Sequence, residues 1–356
     1  MRFLSGIIGL AALRLFSCSD APRTHQQYAP STVKEAKENK GNKGLRADWE
    51  MDYDSLFFRY PYRIEIKDSL AVLLDLHNDT HYGYAFTYPD WKPIAPFGKR
   101  GEGPEELLST DRIRIRSLDS VYVLDANRMQ ITRWSVSIPE KKITREEVIS
   151  LDKRLLRTLD FCLNGPNFLV TDYTGKHRFH EIGRDGKIIR SVGNIPTEHK
   201  EALENAPALA QAWRTFMSYN PKNGVLALVT QLGEVIEVYN LKNGFHKVVF
   251  GPNGEPVFSA QGSEAIPKGI KGFNDVFVAD SCIYATFDGV TFKEKMQQEV
   301  FMNGGRWVYV FDLEGKLIKT ILLEQTAQGI YVDKRTNSLY TTCSDGDYPV
   351  IRYPAP

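Results

Sequence analysis

The sequence has few of the features that identify common classes of functional site. Its 356 residues include only four cysteines, and no two of them have the CxxC or CxxxC spacing of a zinc knuckle or a redox pair. A formal net charge of +1 gives no long-range field toward nucleic acid, so we expect no nucleic-acid partner. No Gly-x-Ser-x-Gly elbow occurs, and no Ser, His and Asp set has the spacing of a catalytic triad. The sequence therefore predicts no catalytic residues.

The N-terminus has the order of a bacterial lipoprotein signal. A short basic start is followed by an apolar run over residues 3–13, which is too short to span a bilayer. The run leads into Leu-Phe-Ser-Cys18, which resembles a lipobox, the motif whose cysteine becomes the lipidated first residue of the mature protein. We therefore predict a lipoprotein signal peptide over residues 1–17 and lipidation of Cys18. The charge of Arg14 and the bulk of Phe16 favour the alternative. In that alternative the N-terminus is an uncleaved amphipathic segment and its cysteine is incidental.

The segment that follows the cysteine is predicted to be a flexible tether, over residues 18–50. Between residues 21 and 46 it has almost no large apolar side chains, so it buries too little surface to offset its ordering entropy. An acylated Cys18 would hold the protein at a membrane surface without spanning it. The predicted location is the bacterial cell envelope, at the outer membrane, on its periplasmic or surface side, with the membrane as a partner through the lipid anchor.

From residue 60 onward the sequence repeats itself, with six apolar strands at intervals of roughly 50 to 60 residues. The six strands lie at residues 70–75, 121–125, 168–172, 226–230, 283–287 and 339–343. Three units continue into a hairpin with a glycine, at Gly186, Gly244 or Gly315, in its turn. Four strands per unit and six units predict an all-β fold, a six-bladed β-propeller with four-stranded blades over residues 51–356. The competing all-β fold, a sandwich with a small second domain, would not produce six similar units.

Ring closure and two insertions are predicted as well. The last unit starts at residue 328 and has only three strands, so we expect residues 53–60 to supply its fourth strand. Residues 197–217 are rich in Ala, Glu and Leu and predict one or two short helices, divided at Pro207. Residues 292–301 are a charged excursion inside the fifth unit. Insertions of this kind usually lie on one face of a propeller, where they form either a binding surface or a lid.

A glycine-rich segment follows the first unit. It is not a phosphate loop, because its last glycine is followed by Pro-Glu-Glu where Lys and Ser or Thr are required. We interpret it as a sharp structural turn between the first two blades. Its turn residues are Gly98, Gly101, Gly103, Pro104 and Glu106.

Such a turn behind a lipobox resembles that of the TolB-like six-bladed propeller lipoproteins common in Bacteroidetes. The family's segment reads closer to Gly-Pro-Gly-Glu, and Glu105 replaces that glycine here. The resemblance extends from about residue 53 to the end of the sequence. It implies the propeller fold and an envelope location. No catalytic residues can be carried over from it, because most members lack an assigned activity.

The histidines, aspartates and cysteines are the remaining candidates for metal and disulfide sites. His77 and His81 flank a turn, but two imidazoles without a third ligand do not make a zinc site, and we predict no metal site. Calcium is the one cofactor left open, and the carboxylates eligible by residue type are Asp75, Asp125, Asp172, Asp275 and Asp280. In propellers such carboxylates more often bond to backbone amides. Cys162, Cys282 and Cys343 are expected to be free buried thiols, with a disulfide between Cys282 and Cys343 as the alternative.

The sequence thus predicts a membrane-tethered envelope propeller that binds or scaffolds an unidentified protein or small-molecule ligand. The alternative is a metal-dependent hydrolase or lyase with its site in the propeller channel. Three or four acidic and amide side chains that converge at one channel mouth would favour the enzyme. A channel lined by apolar or backbone-bonded groups would favour binding.

Overall fold

A computed structural model describes residues 22–26, 44–52, 56–297 and 303–354. Within these ranges six sheets of four or five mostly antiparallel strands follow one another along the chain, and a separate two-stranded hairpin lies between the fourth and fifth. Cys18, the predicted lipidation site, lies outside the described residues. No helix in the described part of the chain is long and apolar enough to cross a membrane.

Two short strands precede the first blade, β1 (Arg23–His25) and β2 (Trp49–Glu50). In blades 1 to 3, four consecutive strands pair in chain order. Blade 1 consists of β3 (Pro61–Lys67), β4 (Leu70–Asp75), β5 (His81–Thr87) and β6 (Pro93–Lys99). Blade 2 consists of β7 (Thr110–Ser117), β8 (Ser120–Asp125), β9 (Gln130–Ser137) and β10 (Lys142–Ser150). Blade 3 consists of β11 (Phe161–Asn164), β12 (Asn167–Thr171), β13 (Phe179–Ile182) and β14 (Ile188–Val192).

Blades 4 to 6 follow the same plan, with a separate hairpin between blades 4 and 5. Blade 4 consists of β15 (Thr215–Asn220), β16 (Val225–Thr230), β17 (Val235–Asn240) and β18 (Phe245–Phe250). The hairpin consists of β19 (Phe258–Gln261) and β20 (Glu264–Pro267). Blade 5 consists of β21 (Phe273–Val278), β22 (Ile283–Phe287), β23 (Gly305–Phe311) and β24 (Leu317–Ala327). Blade 6 consists of β25 (Ile330–Asp333), β26 (Ser338–Thr342) and β27 (Val350–Pro354).

The six repeated strands of the sequence are the second strands of the six blades. Every residue of β4, β8 and β16 is buried, because both faces of a second strand pack inside the molecule. This burial explains why the repeats read as continuous apolar runs. The first strands of neighbouring blades contact one another in cyclic order, and β25 of blade 6 contacts β3 of blade 1. The six-bladed propeller is therefore confirmed, and the sandwich is not.

The ring closes through the N-terminal part of the chain, but not through the predicted segment. β2 pairs with β27, with Trp49 opposite Arg352, and so becomes the fourth strand of blade 6. The prediction of residues 53–60 for this role was wrong. Of that segment, residues 53–55 are outside the described ranges, and the rest approaches blade 1, where the backbone N–H of Tyr60 donates to the Asp75 carboxylate.

The N-terminal segment also packs against blades 4 and 5. β1 pairs in parallel with β18 and adds a fifth strand to blade 4. Gln26 then bonds to blade 5, where its side chain donates to the carbonyl of Gly315 and accepts from the N–H of Leu317. Residues 22–26 and 44–50, which the sequence placed in a flexible tether, therefore lie against the propeller. We call residues 22–26 and 44–52 the strap.

The predicted insertions are helical and lie at one end of the channel. The first contains a 3₁₀ helix (Lys200–Glu204) and α1 (Ala206–Ala212), with Pro207 in the first turn of α1, where its missing N–H costs nothing. The side chain of Asn205 donates to the carbonyl of Gly262 in the β19–β20 turn. The second insertion is α2 (Phe292–Gln297). The 3₁₀ helix, α1 and α2 all lie in connections at the end of the channel where the first strands of the blades begin.

Candidate functional site

Charged residues recur at every second position of the first strands of blades 1 and 2. The six residues are Arg63, Glu65 and Lys67 on β3 and Arg112, Arg114 and Arg116 on β7. Alternate residues of a strand share one face, and the first strands surround the channel. The side chains of these six residues therefore run along the channel.

Four of these residues and two aspartates form a buried ionic network in the channel. Its members are Arg63, Glu65, Arg112, Arg114, Asp160 and Asp275, and we call this set the channel plug. Arg112 is central, because its Nε donates to Asp160 Oδ1 at 2.8 Å and its Nη2 donates to Asp275 Oδ1 at 2.8 Å. Arg63 Nε lies 3.6 Å from Asp275, and Arg114 pairs with Glu65. The plug joins blades 1, 2, 3 and 5.

The charges of the plug balance, with three guanidinium groups against three carboxylates. Burial lowers the pKa of Arg112, but the carboxylates of Asp160 and Asp275 outweigh this effect and raise it overall. Burial raises the pKa of Asp275, but Arg112 and Arg63 outweigh it and hold the pKa below its usual range. Backbone groups add to the plug, since Met217 N–H donates to Asp160 at 3.0 Å and Ile330 N–H donates to Asp275 at 3.1 Å.

The plug leaves a cavity at each end of the channel. The larger cavity, of about 670 Å³, lies where the first strands end, and we call it the wide mouth. Its apolar and aromatic walls include Ile115, Leu163, Tyr219, Phe277 and Tyr331. Its cationic side chains are Lys67, Arg114, Arg116, Lys222 and Lys334, against the anionic Glu65, Asp280 and Asp333. The wide mouth therefore combines an apolar interior with an excess of positive charge.

The smaller cavity, of about 170 Å³, lies where the first strands begin, and we call it the narrow mouth. Its polar lining includes Tyr60, Tyr62, Asp111, Arg214, Lys271 and Asn274. Phe292, the first residue of α2, also lines it. The insertions thus contribute to the narrow mouth, and the wide mouth is formed without them.

The glycine-rich turn connects β6 of blade 1 to β7 of blade 2. The Glu106 carboxylate folds back over it and accepts from the N–H of Gly103 at 3.0 Å and from Lys99 Nζ at 2.6 Å. These hydrogen bonds lower the pKa of Glu106. A Cβ at Gly101 would collide with the same carboxylate. None of the five turn residues, Gly98, Gly101, Gly103, Pro104 and Glu106, lines either mouth.

The five carboxylates that were eligible for calcium do not come together. Asp75 and Asp125 are the last residues of second strands, and Asp172 directly follows one. They accept backbone N–H groups of the segments that lead into their own blades, from Tyr60, Leu108 and Leu156 respectively. Asp275 belongs to the channel plug. Asp280 pairs with Lys334 at 3.1 Å beside the wide mouth. Among the described residues no three His, Cys, Asp or Glu side chains are placed to hold a metal ion.

The histidine and cysteine candidates are also separate. The ring of His77 contacts the ring of Tyr60, with centroids 5.0 Å apart, and His81 lies at the start of β5. Cys162, Cys282 and Cys343 are all free, so the alternative of a disulfide between Cys282 and Cys343 is not formed. Cys162 and Cys343 are buried as expected, whereas Cys282 is half-buried. Burial raises the pKa of Cys343 to about 11, which keeps this thiol protonated at neutral pH.

The plug was missed in the sequence although β3 and β7 carry a signal for it. Each strand alternates charged residues with isoleucine, in Arg-Ile-Glu-Ile-Lys and Arg-Ile-Arg-Ile-Arg. Such alternation is ordinary for a half-exposed strand. Both strands, however, directly precede a second strand of the repeat, so they are first strands and line the channel. Charged residues in this position contribute to binding or to the structure of the channel.

Comparisons with known proteins agree with this architecture. The family model described as TolB-like 6-blade propeller-like matches residues 43–335. A crystal structure of a member of the DUF4221 family from Bacteroides vulgatus is similar, with a TM-score of 0.54, 10% identity, and coverage of 87% of this chain and 96% of that one. Virginiamycin B lyase from Staphylococcus aureus is similar with a TM-score of 0.50, 12% identity, and coverage of 86% and 97%. At these identities the two structures show the fold alone. No curated protein matches the sequence.

Proposed function

The chain belongs to the TolB-like six-bladed propeller family, and we propose that it is a membrane-tethered envelope protein that binds a small anionic ligand in the wide mouth. The observation that carries this proposal is the wide mouth itself. Its volume of about 670 Å³ falls within the roughly 300–1,000 Å³ of sites for small organic ligands. Aromatic walls and a few polar groups are the usual lining of such sites.

The charges of the wide mouth favour an anion. Asp280 is already paired with Lys334 and lies 3.9 Å from Lys222. Lys67 makes no ion pair within the described part of the chain. Arg116 donates to the carbonyl of Gly165 and lies over the ring of Tyr122, 5.0 Å from its centroid, and none of the described carboxylates pairs with it. Two cations are thus available to a ligand. Phe277 and Tyr331, whose ring centroids are 4.8 Å apart, supply an aromatic surface for its apolar part.

The channel plug favours binding over metal-dependent catalysis. An enzyme of the alternative class needs carboxylates free to hold a metal. Asp160 and Asp275, the two buried aspartates of the channel plug, are instead bonded to Arg112 and to backbone N–H groups. We therefore propose no resident metal and no hydrolytic step.

The probe 8-anilinonaphthalene-1-sulfonate, an aromatic monoanion, tests the wide mouth. We expect saturable fluorescence enhancement by the folded protein. The double variant Lys67→Glu/Arg116→Glu is expected to bind the probe at least tenfold more weakly, because each lost charge-assisted contact is worth about 1.5–3 kcal/mol. Titration by fluorescence, with circular dichroism to verify folding, measures the effect.

The matched control is Lys142→Glu/Arg184→Glu. It changes the net charge equally at two exposed residues away from both mouths. Its affinity for the probe should equal that of the unchanged protein. Equal weakening by both double variants would mean that the probe senses only overall charge, and the wide mouth would lose its support as the binding site.

The lipid anchor is tested with Cys18→Ala. We expect this variant to move from the membrane fraction to the soluble fraction, because the proposed acyl chains provide the attachment. Cys282→Ala is the control and should remain with the membrane. Recovery of Cys18→Ala in the membrane fraction after washing with mild buffer would contradict the anchor. Cys18 precedes Pro22 by four residues, which span at most about 14 Å, so the anchor would hold blade 4 close to the lipid surface.

A further inference from the structure

The narrow mouth has the properties of a second, separate binding site. Its volume of about 170 Å³ is well below that of sites for drug-sized ligands. The aromatic ring of Phe292 and the side chains of Tyr60 and Tyr62 border it. An occupant must therefore be small, with only a few carbon atoms.

The formal charge around the narrow mouth is positive by one. Arg214 and Lys271 are its cations, and Asp111 is its one anion within the described residues. Arg214 Nη2 and Asp111 Oδ1 are 3.5 Å apart, which is at the limit of a hydrogen bond. Asp111 thus engages one nitrogen of Arg214 weakly and leaves the rest of the guanidinium to other acceptors. The lining matches a ligand with one negative charge.

Two buried donors at the narrow mouth lack acceptors. Asn274 is 3% exposed, and its Nδ2 has no hydrogen-bond partner among the described residues. The buried Nε of Arg214 likewise has no hydrogen-bond partner among the described residues. Buried polar groups in native proteins are nearly always satisfied, and an unsatisfied one costs free energy. Neither nitrogen is open to the cavity in the structure, so oxygen atoms of a bound ligand would satisfy both donors through small rotations of the Asn274 and Arg214 side chains.

Lys271 is the second cation at the narrow mouth, and it shares its carboxylate partner, Asp288, with Lys295. Its Nζ donates to the carbonyl of Asn303 at 2.8 Å and lies 3.8 Å from Asp288. Asp288 is closer to Lys295, at 2.6 Å. Burial lowers the pKa of Lys271 to about 8, Asp288 opposes the effect, and Lys295 and Arg63 add to it. A bound anion would stabilise the charged amine.

We propose that the narrow mouth binds a small monocarboxylate, held by Arg214, Lys271 and the side-chain amide of Asn274. A planar carboxylate offers two acceptor oxygens to the guanidinium and the amide. Its single charge balances the lining. A phosphate dianion fits the site less well, because Asp111 repels the second charge.

Isothermal titration calorimetry of the full chain with sodium acetate and sodium pyruvate tests the proposal, with sodium chloride at equal ionic strength as the reference. We expect saturable binding of at least one carboxylate. Arg214→Met and Lys271→Met should each weaken it at least tenfold. In Lys271→Met the carboxylate of Asp288 keeps Lys295, so the fold is preserved. The control is Lys268→Met, an exposed lysine outside the cavity, which should bind as the unchanged protein does.

The pH dependence supplies a second readout. Only the protonated amine of Lys271 attracts the carboxylate, so the affinity should fall as the pH rises above about 8, and Lys271→Met should lack this fall. Binding of phosphate as tight as that of the carboxylates would overturn the assignment to monocarboxylates. Equal affinity in all three variants, or no saturable binding by the folded protein, would overturn the site. Neither result bears on the wide mouth, which the fluorescent probe tests independently.

Discussion

Replacing Arg112 with methionine is expected to lower the free energy of unfolding by about 3–5 kcal/mol at pH 7. Arg112 bridges Asp160 and Asp275 at the centre of the channel plug, and all three side chains are almost completely buried. Methionine fills a similar volume but has no guanidinium group, so the buried carboxylates of Asp160 and Asp275 lose the positive charge between them. Denaturant unfolding followed by circular dichroism measures the loss.

The same substitution further along β7 provides the control. Arg116 lies on the same face of the strand, at its outer end beside the wide mouth. Arg116→Met should cost less than about 1 kcal/mol, because partly exposed charges contribute little to stability. Similar losses for Arg112→Met and Arg116→Met would show that the plug is no more important than a surface ion pair.

The pH dependence of the plug has a definite sign. The pKa of Asp275 is lower in the folded state than its ordinary value. Its ionic contribution is therefore fully present above the ordinary aspartate pKa of about 3.9 and is lost as the pH falls through the lower folded-state value. The stability difference between the unchanged protein and Arg112→Met should accordingly be largest near neutral pH and shrink in acid.

The propeller could be predicted from the sequence because its strongest signal is local. The second strands β4, β8 and β16 are buried on both faces, so each contains a continuous apolar run next to its polar end residues. Six such runs at regular intervals require six similar units. The glycines in the hairpin turns follow the same logic, and Gly244, with φ of 80°, has the backbone conformation that the turn needs.

The first part of the strap, residues 22–26, could not be predicted, because backbone hydrogen bonds form much of it. Residues 23–25 join the edge of blade 4 as a parallel strand and contribute no large apolar side chain. Edge addition of this kind depends on the unpaired N–H and C=O groups of the partner strand. The amino-acid composition reports only on side chains, and the lack of large apolar ones there predicted a flexible tether.

The channel plug and the narrow mouth could not be predicted for a different reason. Arg63 and Asp275 are far apart in the sequence and meet only because the ring brings blades 1 and 5 to one channel. The alternation on β3 and β7 showed that charges share a face, but not which carboxylates they reach. The pairings depend on the tilt and spacing of all six blades, which a single sequence does not display.

The second large effect is expected at the ring closure. Met51 is 1% exposed and packs in the apolar core between blades 1 and 6. Trp49 of β2 stacks on Trp91 of blade 1, with ring centroids 5.3 Å apart. The full-length double variant Trp49→Ala/Met51→Ala should therefore lose about 3–6 kcal/mol of unfolding free energy, because truncation of a large buried apolar side chain costs several kcal/mol.

Phe57→Ala is the matched control for this variant, since Phe57 is a nearby aromatic residue with 75% exposure. It should change the stability by less than about 0.5 kcal/mol. Limited proteolysis gives a second measurement. Loss of the closure exposes the edge of β27, so the double variant should be cut first in blade 6. The Arg112→Met variant should instead be cut in all blades at the same time, because the plug connects four of them. Equal stability of the double variant and Phe57→Ala would mean that the contacts of β25 and β26 with β3 suffice to close the propeller, and that β2 contributes nothing to it.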